Sequence, residues 1–343
     1  MMLRTKIVPY FKTYKLTKIK IPMVEAFYLT LAEESAQSTI KKYEMLLTRM
    51  FNMAVRWQMI DKNPCDGAEM PKSQKKRGGI KFFTPEQAKA FLASLDMEFV
   101  VMHKEHGRVD DTGKPYVVNN YIKKRGMPLQ LKVFFYIAMT CGMRRGEILA
   151  LHWDDINFKE KKISISKSIS KTANGVDCKE PKTTTSIREI PLPELIIPML
   201  TRYRGDYNAF QTSLGDKWRG DGNMFTQADG KLMGMHTPYQ RFISHIERYN
   251  DWVERTNREL PKGEKKLETL PKIPFHGLRH TCATLLNDMG TNMSVISKIL
   301  GHAQTSTTMN IYAHSFESQL REASNNMDGF LKKCSESDQS AVG

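Results

Sequence analysis

The sequence lacks the features that would place this chain in or across a membrane. None of its apolar runs reaches the ~18 residues that a membrane-spanning helix needs. Residues 1–20 are interrupted by charges and contain no long apolar core, so they do not have the pattern of a secretory signal peptide. We therefore expect a cytoplasmic location.

Cysteine is scarce and is not arranged for a disulfide framework or a zinc site. No two cysteines have the spacing of zinc ligands, which indicates reduced thiols. His103 and His106 lie close together, but no further ligand type clusters with them, so no metal site is predicted. No internal repeat is evident. The five cysteines are Cys65, Cys141, Cys178, Cys282 and Cys334.

Acidic residues are too few to balance the basic ones. The chain has 52 Lys and Arg against 37 Asp and Glu, which gives a net charge of +15. An excess of this size favours a polyanionic partner such as nucleic acid or an anionic membrane surface, and without a membrane segment nucleic acid is the better candidate. The length of 343 residues is sufficient for two domains.

The N-terminal part, residues 1–70, has a helical pattern. Apolar residues from Ile21 to Glu34 recur at helical spacing, and Ser38 is a predicted N-cap of a second helix that Asn63-Pro64 ends. Lys41 and Lys42 lie outside the apolar stripe of that helix. Their face is either solvated surface or a surface that contacts DNA phosphates.

Residues 71–81 mark a break in composition. This segment is basic, has no acids and contains Gly78-Gly79, so it is predicted to be a flexible linker. Lys75, Lys76 and Arg77 are candidate DNA contacts, because a linker between two DNA-binding domains runs close to phosphates.

Residues 82–335 form the predicted second domain, followed by a flexible tail at 336–343. Thr84-Pro85 starts a helix, 103–126 is interpreted as an irregular insertion, and 131–140 is a predicted buried helix. Period-two alternation between Trp153 and Ile190, with a turn at Asn174-Gly175, predicts a small antiparallel sheet of about three strands. Helices are expected over 194–255 and in the C-terminal part, ending in an amphipathic helix at 316–333. The fold class is therefore mostly α with a small antiparallel β-sheet.

The second domain contains the residue types that a metal-free tyrosine phosphotransferase requires. A phenol has a pKa near 10 and attacks a phosphodiester only if its proton is removed and cations neutralise the developing charge. Arginine suits that role because its fork makes two charge-assisted bonds to phosphate. A lysine in a turn can protonate the leaving oxygen. The candidate catalytic residues are Arg144, Lys182, His276, Arg279, His302 and Tyr312.

The order of these residues is more informative than any one of them. His276 and Arg279 are three apart and share one face of a helix. Arg144 stands at the start of a predicted helix, with Glu147 one turn on to hold its guanidinium. The neighbouring Arg145, His280 and His314 are assigned no catalytic role.

This ordered set resembles the tyrosine recombinase (phage integrase) family, and the match spans the whole second domain. The matching motifs are Gly142-Met143-Arg144-Arg145-Gly146-Glu147, Pro181-Lys182-Thr183, Arg188-Glu189-Ile190-Pro191, His276-Gly277-Leu278-Arg279-His280-Thr281, Leu300-Gly301-His302 and Tyr312-Ala313-His314. The resemblance implies a two-domain DNA clamp, with a helical core-binding domain at 1–70 and an α+β catalytic domain at 82–335.

The resemblance also implies roles for the candidate residues. Arg144 and Arg279 would clamp the scissile phosphate, with His302 in support. His276 would assist proton removal from the tyrosine, and Lys182 would protonate the 5′ hydroxyl. The product would be a 3′-phosphotyrosyl bond that conserves energy, so no cofactor, ATP or metal is expected.

Family resemblance further implies a homo-tetramer on double-stranded DNA, possible accessory DNA-bending or excision factors, and association with the nucleoid. The helix at 316–333 would pack either on a neighbouring subunit or on its own domain. Cys141 departs from the family pattern and is expected to change only packing. Integrases often carry an N-terminal arm-binding domain, which we expect to be absent, removed or encoded elsewhere.

Several functions fit these motifs. The first is a site-specific recombinase of the integrase or transposase type from a mobile element. A chromosome-dimer resolvase or inversion recombinase would use the same chemistry, and a topoisomerase would share the nucleophile. A non-catalytic DNA-binding regulator is the alternative of another class. It is disfavoured because all six candidate catalytic residues are present.

Overall fold

The computed structural model divides into two compact units, Met1–Ile80 and Lys81–Gly343. It describes residues 2–75, 81–103, 106–109, 113–118, 121–172, 175–179, 187–301 and 327. The division between the units falls within the segment 71–81 that the sequence marks as a linker. No helix in these described ranges is long and apolar enough to cross a membrane.

Unit 1 is helical throughout its ordered elements. A π-helical turn at Leu3–Ile7 continues into α1 (Val8–Phe11), and a 3-10 turn at Leu16–Lys18 precedes α2 (Ile21–Glu34) and α3 (Gln37–Arg56). The bounds of α2 agree with the sequence prediction. The apolar faces of α2 and α3 form the core of unit 1. Its buried residues include Val24, Phe27, Leu31, Ile40, Leu47 and Phe51.

Two predicted helix boundaries in unit 1 are wrong. Helix α3 begins at Gln37, before Ser38, and its N-cap is Ala36 without a side-chain bond. The Gln37 side chain instead bonds Pro71 and Ser73, which draws the helix start forward. The helix also ends at Arg56, well before Asn63-Pro64. The Asn63 amide donates to Asn52 Oδ1 at 2.8 Å, so the segment folds back onto α3 rather than extending it.

Unit 2 begins with the predicted cap. Thr84 Oγ1 accepts from the Gln87 backbone N–H at 3.2 Å, and Gln87 Oε1 accepts from Thr84 N–H at 3.1 Å. Pro85 occupies the first position of α4 (Pro85–Ser94), where a missing N–H costs nothing. The predicted buried helix is α5 (Leu129–Thr140), whose residues Val133 to Met139 are all buried.

The segment 103–126 is not irregular, and that prediction is wrong. β1 (Phe99–His103) pairs antiparallel with β4 (Tyr121–Arg125), and β2 (His106–Val109) pairs with β3 (Pro115–Val118). The ring of Phe99 packs 5.4 Å from that of His245, far along the chain. This contact between residues far apart in sequence holds the strands against α8. Hydrophobic periodicity within the segment does not predict it.

The predicted small sheet is confirmed as a three-stranded antiparallel sheet in the order β5 (Ile156–Asn157), β6 (Lys162–Ile165), β9 (Arg188–Pro191). Ile163 pairs with Ile190. The hairpin of β7 (Ser168–Thr172) and β8 (Gly175–Lys179) is separate, and β8 was not anticipated. Asn174 of the predicted turn lies outside the described residues.

The remaining helices bring the site residues together. They are α6 (Arg145–Leu149), α7 (Ile196–Leu214), α8 (Thr237–Glu259), α9 (His276–Asp288) and α10 (Met293–Leu300), with 3-10 turns at Trp153–Asp155 and Gly215–Lys217. Phenylalanines from α4, α5 and α8 form a buried aromatic centre, in which the rings of Phe91 and Phe242 lie 5.3 Å apart. Helix α9 packs against α5 and α10 and therefore faces the end of α5, where Gly142 and Arg144 follow.

Candidate active site

Among the predicted catalytic residues that the structure describes, Arg279 is the most buried. It projects from the first turn of α9 and is only 2% exposed. Its Nη1 donates to the Gly142 carbonyl at 2.8 Å, and its Nη2 donates to the Leu300 carbonyl at 2.5 Å. The guanidinium therefore ties together the segment after α5, the helix α9 and the end of α10.

Arg144 stands at the N-cap of α6 as the sequence predicted, and Glu147 holds it. Its Nη1 lies 2.7 Å from Glu147 Oε1, and its backbone N–H donates to Glu147 Oε2 at 2.9 Å. Its Nη2 also donates to the Gly301 carbonyl at 3.3 Å. The side chain remains 39% exposed, so its outer edge is open to a ligand.

Glu147 binds a second arginine that sequence reasoning did not include in the site. Arg188 of β9 places Nη2 at 2.9 Å from Glu147 Oε2. Its Nε donates to the Ile299 carbonyl at 2.8 Å. Arg188 lies between Ile187 and Glu189, which are both exposed, whereas its own side chain is only 7% exposed. The only sequence signal for it was its place in the Arg188-Glu189-Ile190-Pro191 motif.

The electrostatics of this cluster favour an anion. Burial would raise the pKa of Glu147, but the hydrogen bonds and charges of Arg188 and Arg144 lower it, so the carboxylate is ionised. Burial and the nearby charge of Arg144 lower the pKa of Arg279 to about 9. Arg279 keeps its charge at neutral pH, and a bound anion would offset the cost of holding it there.

His276 lies near both arginines at the first position of α9. Burial, followed by the charges of His280, Arg279 and Arg144, lowers its pKa to about 4. Its ring packs edge-on against that of His280, with the centroids 5.0 Å apart. The imidazole is exposed on one side and neutral at physiological pH, so one of its nitrogens can accept a proton.

Helix α10 ends at Gly301, as predicted. The glycine has φ +66°, the left-handed conformation typical of a helix end. A Cβ atom at this position would lie 2.7 Å from Arg188 Nη1, so glycine allows the arginine side chain to approach the backbone closely. The next residue, His302, lies outside the described residues, as do Lys182 and Tyr312. The structure therefore brings together Arg144, His276 and Arg279 of the predicted six.

The predicted DNA contacts of unit 1 are only partly described. Lys41 and Lys42 are exposed on α3. Lys75 is exposed and donates from Nζ to the Glu34 carbonyl at 3.3 Å. Lys76 and Arg77 lie outside the described residues. Among the residues that the structure describes, no group of three or more His, Cys, Asp or Glu side chains could hold a metal ion.

Cys141 and Cys282 line the interior behind the arginines. Both are buried, and burial raises the pKa of the Cys141 thiol to about 11, so neither acts as a thiolate at neutral pH. A side chain at Gly142 would meet Leu300 at 2.6 Å and Cys282 Sγ at 3.2 Å.

Comparison with known proteins gives a consistent match. A model of the phage integrase family matches residues 117–319. The chain is 28% identical over 330 residues to a XerC-like tyrosine recombinase of Caldanaerobacter subterraneus, covering 90% of this chain and 71% of that protein. It is 25% identical to the ICEBs1 integrase of Bacillus subtilis, covering 83% of this chain and 64% of the relative, and thus spans about two thirds of these relatives' lengths.

Solved structures share the fold. The Tn1549 transposon integrase in complex with transposon right end DNA has a TM-score of 0.61 at 20% identity, covering 94% of this chain and 92% of that one. The XerH site-specific recombinase bound to a palindromic difH substrate has a TM-score of 0.53 at 17% identity, with 94% and 77% covered.

Proposed function

The chain belongs to the phage integrase family, and from that membership we propose that it is a site-specific DNA recombinase of the integrase or transposase type. The observation that supports this most is the convergence of Arg144, Arg279 and a neutral His276 in one place. Two fixed cations and one proton acceptor match the requirements of phosphodiester cleavage by a phenol.

The two arginines are positioned before any substrate arrives. Each uses part of its fork on backbone carbonyls or Glu147, and a guanidinium has five N–H donors in all. We propose that donors left over from these contacts, above all on the 39% exposed side chain of Arg144, bind the non-bridging oxygens of a phosphate. Because the carbonyls and Glu147 hold the forks in place, little reorganisation is needed as charge develops.

The reaction that we propose conserves the energy of the cleaved bond. The Tyr312 phenol loses its proton with help from His276 and attacks the phosphorus. The bond to the 5′ oxygen breaks, and Lys182 donates the proton that this oxygen takes up. The 3′-phosphotyrosyl bond is then attacked by the 5′ hydroxyl of another strand, which releases the tyrosine. In this second step the 5′ hydroxyl returns its proton to Lys182 and the phenolate of Tyr312 regains its proton from His276, so the two steps balance without ATP or a metal.

The assembly and setting are also proposals. We infer that unit 1 (the core-binding domain) and the catalytic domain of unit 2 both contact double-stranded DNA in the cytoplasm. A homo-tetramer on two recombination sites would join four active sites. The helix predicted at 316–333, which apart from residue 327 lies outside the described residues, would be the contact between subunits. A relative named transposase from transposon Tn916 of Enterococcus faecalis, 26% identical over 188 residues, supports a mobile-element role over a chromosome-dimer resolvase or inversion recombinase.

The nucleophile is tested by trapping DNA on the protein in its source cells. The wild-type chain should yield covalently attached DNA after denaturing purification, and sequencing that DNA gives the target. Tyr312→Phe should yield none, because no phenol is left to form the ester, whereas it should still bind DNA in a mobility shift. The control is Tyr239→Phe, which removes the hydroxyl of a tyrosine on α8 that lies at the surface.

An adduct formed by Tyr312→Phe would show that another residue is the nucleophile. A wild-type chain that binds DNA but never becomes attached to it would favour the non-catalytic regulator instead.

A further inference from the structure

A small cleft in unit 2 is lined by three arginines that belong to none of the motifs above. It has a volume of about 210 Å³ and lies between the end of β4, one face of α8 and the loop near Thr226. Arg125 is the last residue of β4, and Arg241 and Arg248 are on α8. The volume of the cleft is smaller than the roughly 300–1,000 Å³ of pockets that bind drug-sized ligands, so the cleft suits a small polyatomic ion.

The α8 wall of the cleft is fixed by the core. Arg241, His245 and Arg248 follow one another at helical spacing and share one face. His245 is only 2% exposed, and its Nε2 lies 2.9 Å from Ser94 Oγ. Burial, followed by the charges of Arg248 and Lys132, lowers the pKa of His245 to about 4, so the histidine is neutral at physiological pH. It anchors the face without adding charge.

The β4 wall is fixed by the same histidine. Arg125 pairs in register with Phe99 of β1, and the Phe99 ring packs 5.4 Å from the His245 ring. The strand pair and the helix are therefore held against each other. The relative positions of the three arginines follow from packed contacts rather than from loops.

Carboxylates offset the charge of the three arginines only in part, since Glu247 raises the pKa of Arg248 less than burial and the other two arginines lower it. Within the described ranges, none of the three forms an ion pair or a hydrogen bond. Glu247, which precedes Arg248 in sequence, pairs with Lys272 Nζ at 2.6 Å, and Asp96 pairs with Lys132 Nζ at 2.8 Å. Glu98 borders Gly126 at the rim, where the three guanidinium groups outnumber it.

Three like charges lie around this cleft, of which Arg125 and Arg241 are exposed and Arg248 is half-buried. Burial, followed by the charges of Arg125 and Arg241, lowers the pKa of Arg248, which is the expected effect of like charges held together. An anion between them would remove that repulsion. The planar fork of arginine matches the oxygens of phosphate in particular.

We propose that this arginine cleft (Arg125, Arg241 and Arg248) is a phosphate-binding site, and that in the DNA complex it holds a backbone phosphate other than the one that reacts. The claim that this phosphate belongs to DNA rests on the proposed function. The claim that the cleft binds a phosphate group rests on the cleft alone. The site would position the duplex without reading its sequence, because phosphate contacts carry no base information.

The phosphate class is tested on the full chain labelled with nitrogen-15, by following the arginine Nε–Hε resonances during titration with inorganic phosphate. Sodium chloride at the same ionic strength is the reference. The resonances of Arg125, Arg241 and Arg248 should shift and saturate with phosphate but not with chloride. Arg248→Gln should abolish the shifts of the other two. The absence of any phosphate-specific shift in the wild type would overturn the site.

The DNA source is tested by the salt dependence of binding to a mixed-sequence duplex. The slope of log K against log salt should become shallower by about 0.9 for each DNA phosphate that a variant no longer neutralises. Arg248→Gln and Arg241→Gln should each show such a change. Arg258→Gln is the matched control, because Arg258 is an exposed arginine on the same helix outside the cleft. Far-UV circular dichroism checks that each variant is folded.

The outcomes separate this inference from the proposed function. If the wild type does not bind the duplex at all, the proposed function fails while the phosphate titration still decides the cleft. If the wild type binds and both cleft variants keep its affinity and slope, the backbone source is wrong. A phosphate shift in that case would assign the cleft to a free phosphate compound.

Discussion

Glu147 is the residue on which the organisation of the candidate active site most depends. It is 5% exposed and accepts hydrogen bonds from two arginines, Arg144 and Arg188, which come from different elements. A buried carboxylate is unfavourable alone, and so is a buried guanidinium, but each offsets the other when the geometry is good. Removing the shared charge would therefore take from both arginines the carboxylate that they share.

We expect Glu147→Gln to lower the free energy of unfolding by about 2–3 kcal/mol at neutral pH. Breaking a fully buried pair costs about 3–5 kcal/mol, and the value here is smaller because Arg144 is partly exposed. Urea denaturation gives the measurement. Glu194→Gln is the control, because Glu194 is an exposed carboxylate paired to Lys161 at 2.5 Å and its loss should change stability little.

The same variant should alter the pH dependence of stability. The folded pKa of Glu147 lies below its ordinary value of 4.5. The ionised carboxylate therefore stabilises the fold above pH 4.5, and this stabilisation is lost as the pH falls through the lower folded pKa. The difference between wild type and Glu147→Gln should narrow below pH 4.5. If the difference in unfolding free energy between the two proteins stayed constant down to a pH at which all carboxylates are protonated, Glu147 would not be ionised in the folded protein.

Among the elements, the end of α10 connects the cations of the site. The carbonyls of Ile299, Leu300 and Gly301 accept from Arg188, Arg279 and Arg144 respectively. These are the unpaired carbonyls at the end of a helix, which carry partial negative charge. The helix end therefore holds three arginines in a fixed arrangement and leads directly into His302.

Gly301→Ala should destabilise unit 2 more than Gly290→Ala. Both glycines have positive φ, +66° and +77°, and a side chain in that region costs about 1–2 kcal/mol. At Gly290 nothing lies within 4 Å of the added carbon, whereas at Gly301 it meets Arg188 at 2.7 Å. We expect the crowding to add about 1–3 kcal/mol. Thermal unfolding of the two variants measures the difference, and equal losses would mean that Arg188 moves aside freely.

At the scale of the whole molecule, charge is the property that most constrains function. The net charge of +15 is spread over both units, and exposed lysines such as Lys41 and Lys42 of α3 contribute to it. A protein that neutralises phosphates releases the ions condensed on DNA, so its affinity depends on salt.

Binding to duplex DNA should weaken steeply with salt. For about 6–10 phosphate contacts the affinity falls by about 10³–10⁵ between 50 and 200 mM salt. Fluorescence anisotropy with a labelled duplex measures this at several salt concentrations. The double variant Lys41→Gln/Lys42→Gln should reduce the slope if that face of α3 contacts phosphates and leave it unchanged if the face is only solvated. Salt-insensitive binding by the wild type would contradict the charge argument.

The sequence by itself determined the class of chemistry and much of the local structure. The spacing of His276 and Arg279, the glycine at 301 and the cap at Thr84 each report a local rule, and each is found as expected. Where apolar spacing was strong, as in Ile21–Glu34, even the helix bounds were correct. Local rules depend on residues within a turn or two, so one sequence is enough to apply them.

Only the tertiary structure decided which distant residues meet. Spacing does not show that Arg188 shares Glu147 with Arg144. Nor does it show that Phe99 packs a strand pair against His245, or that Arg125 lies beside two arginines of α8. Periodicity shows which face of an element is buried but not what lies against it. That choice depends on how complete elements pack, and the packing sets the charge around each site.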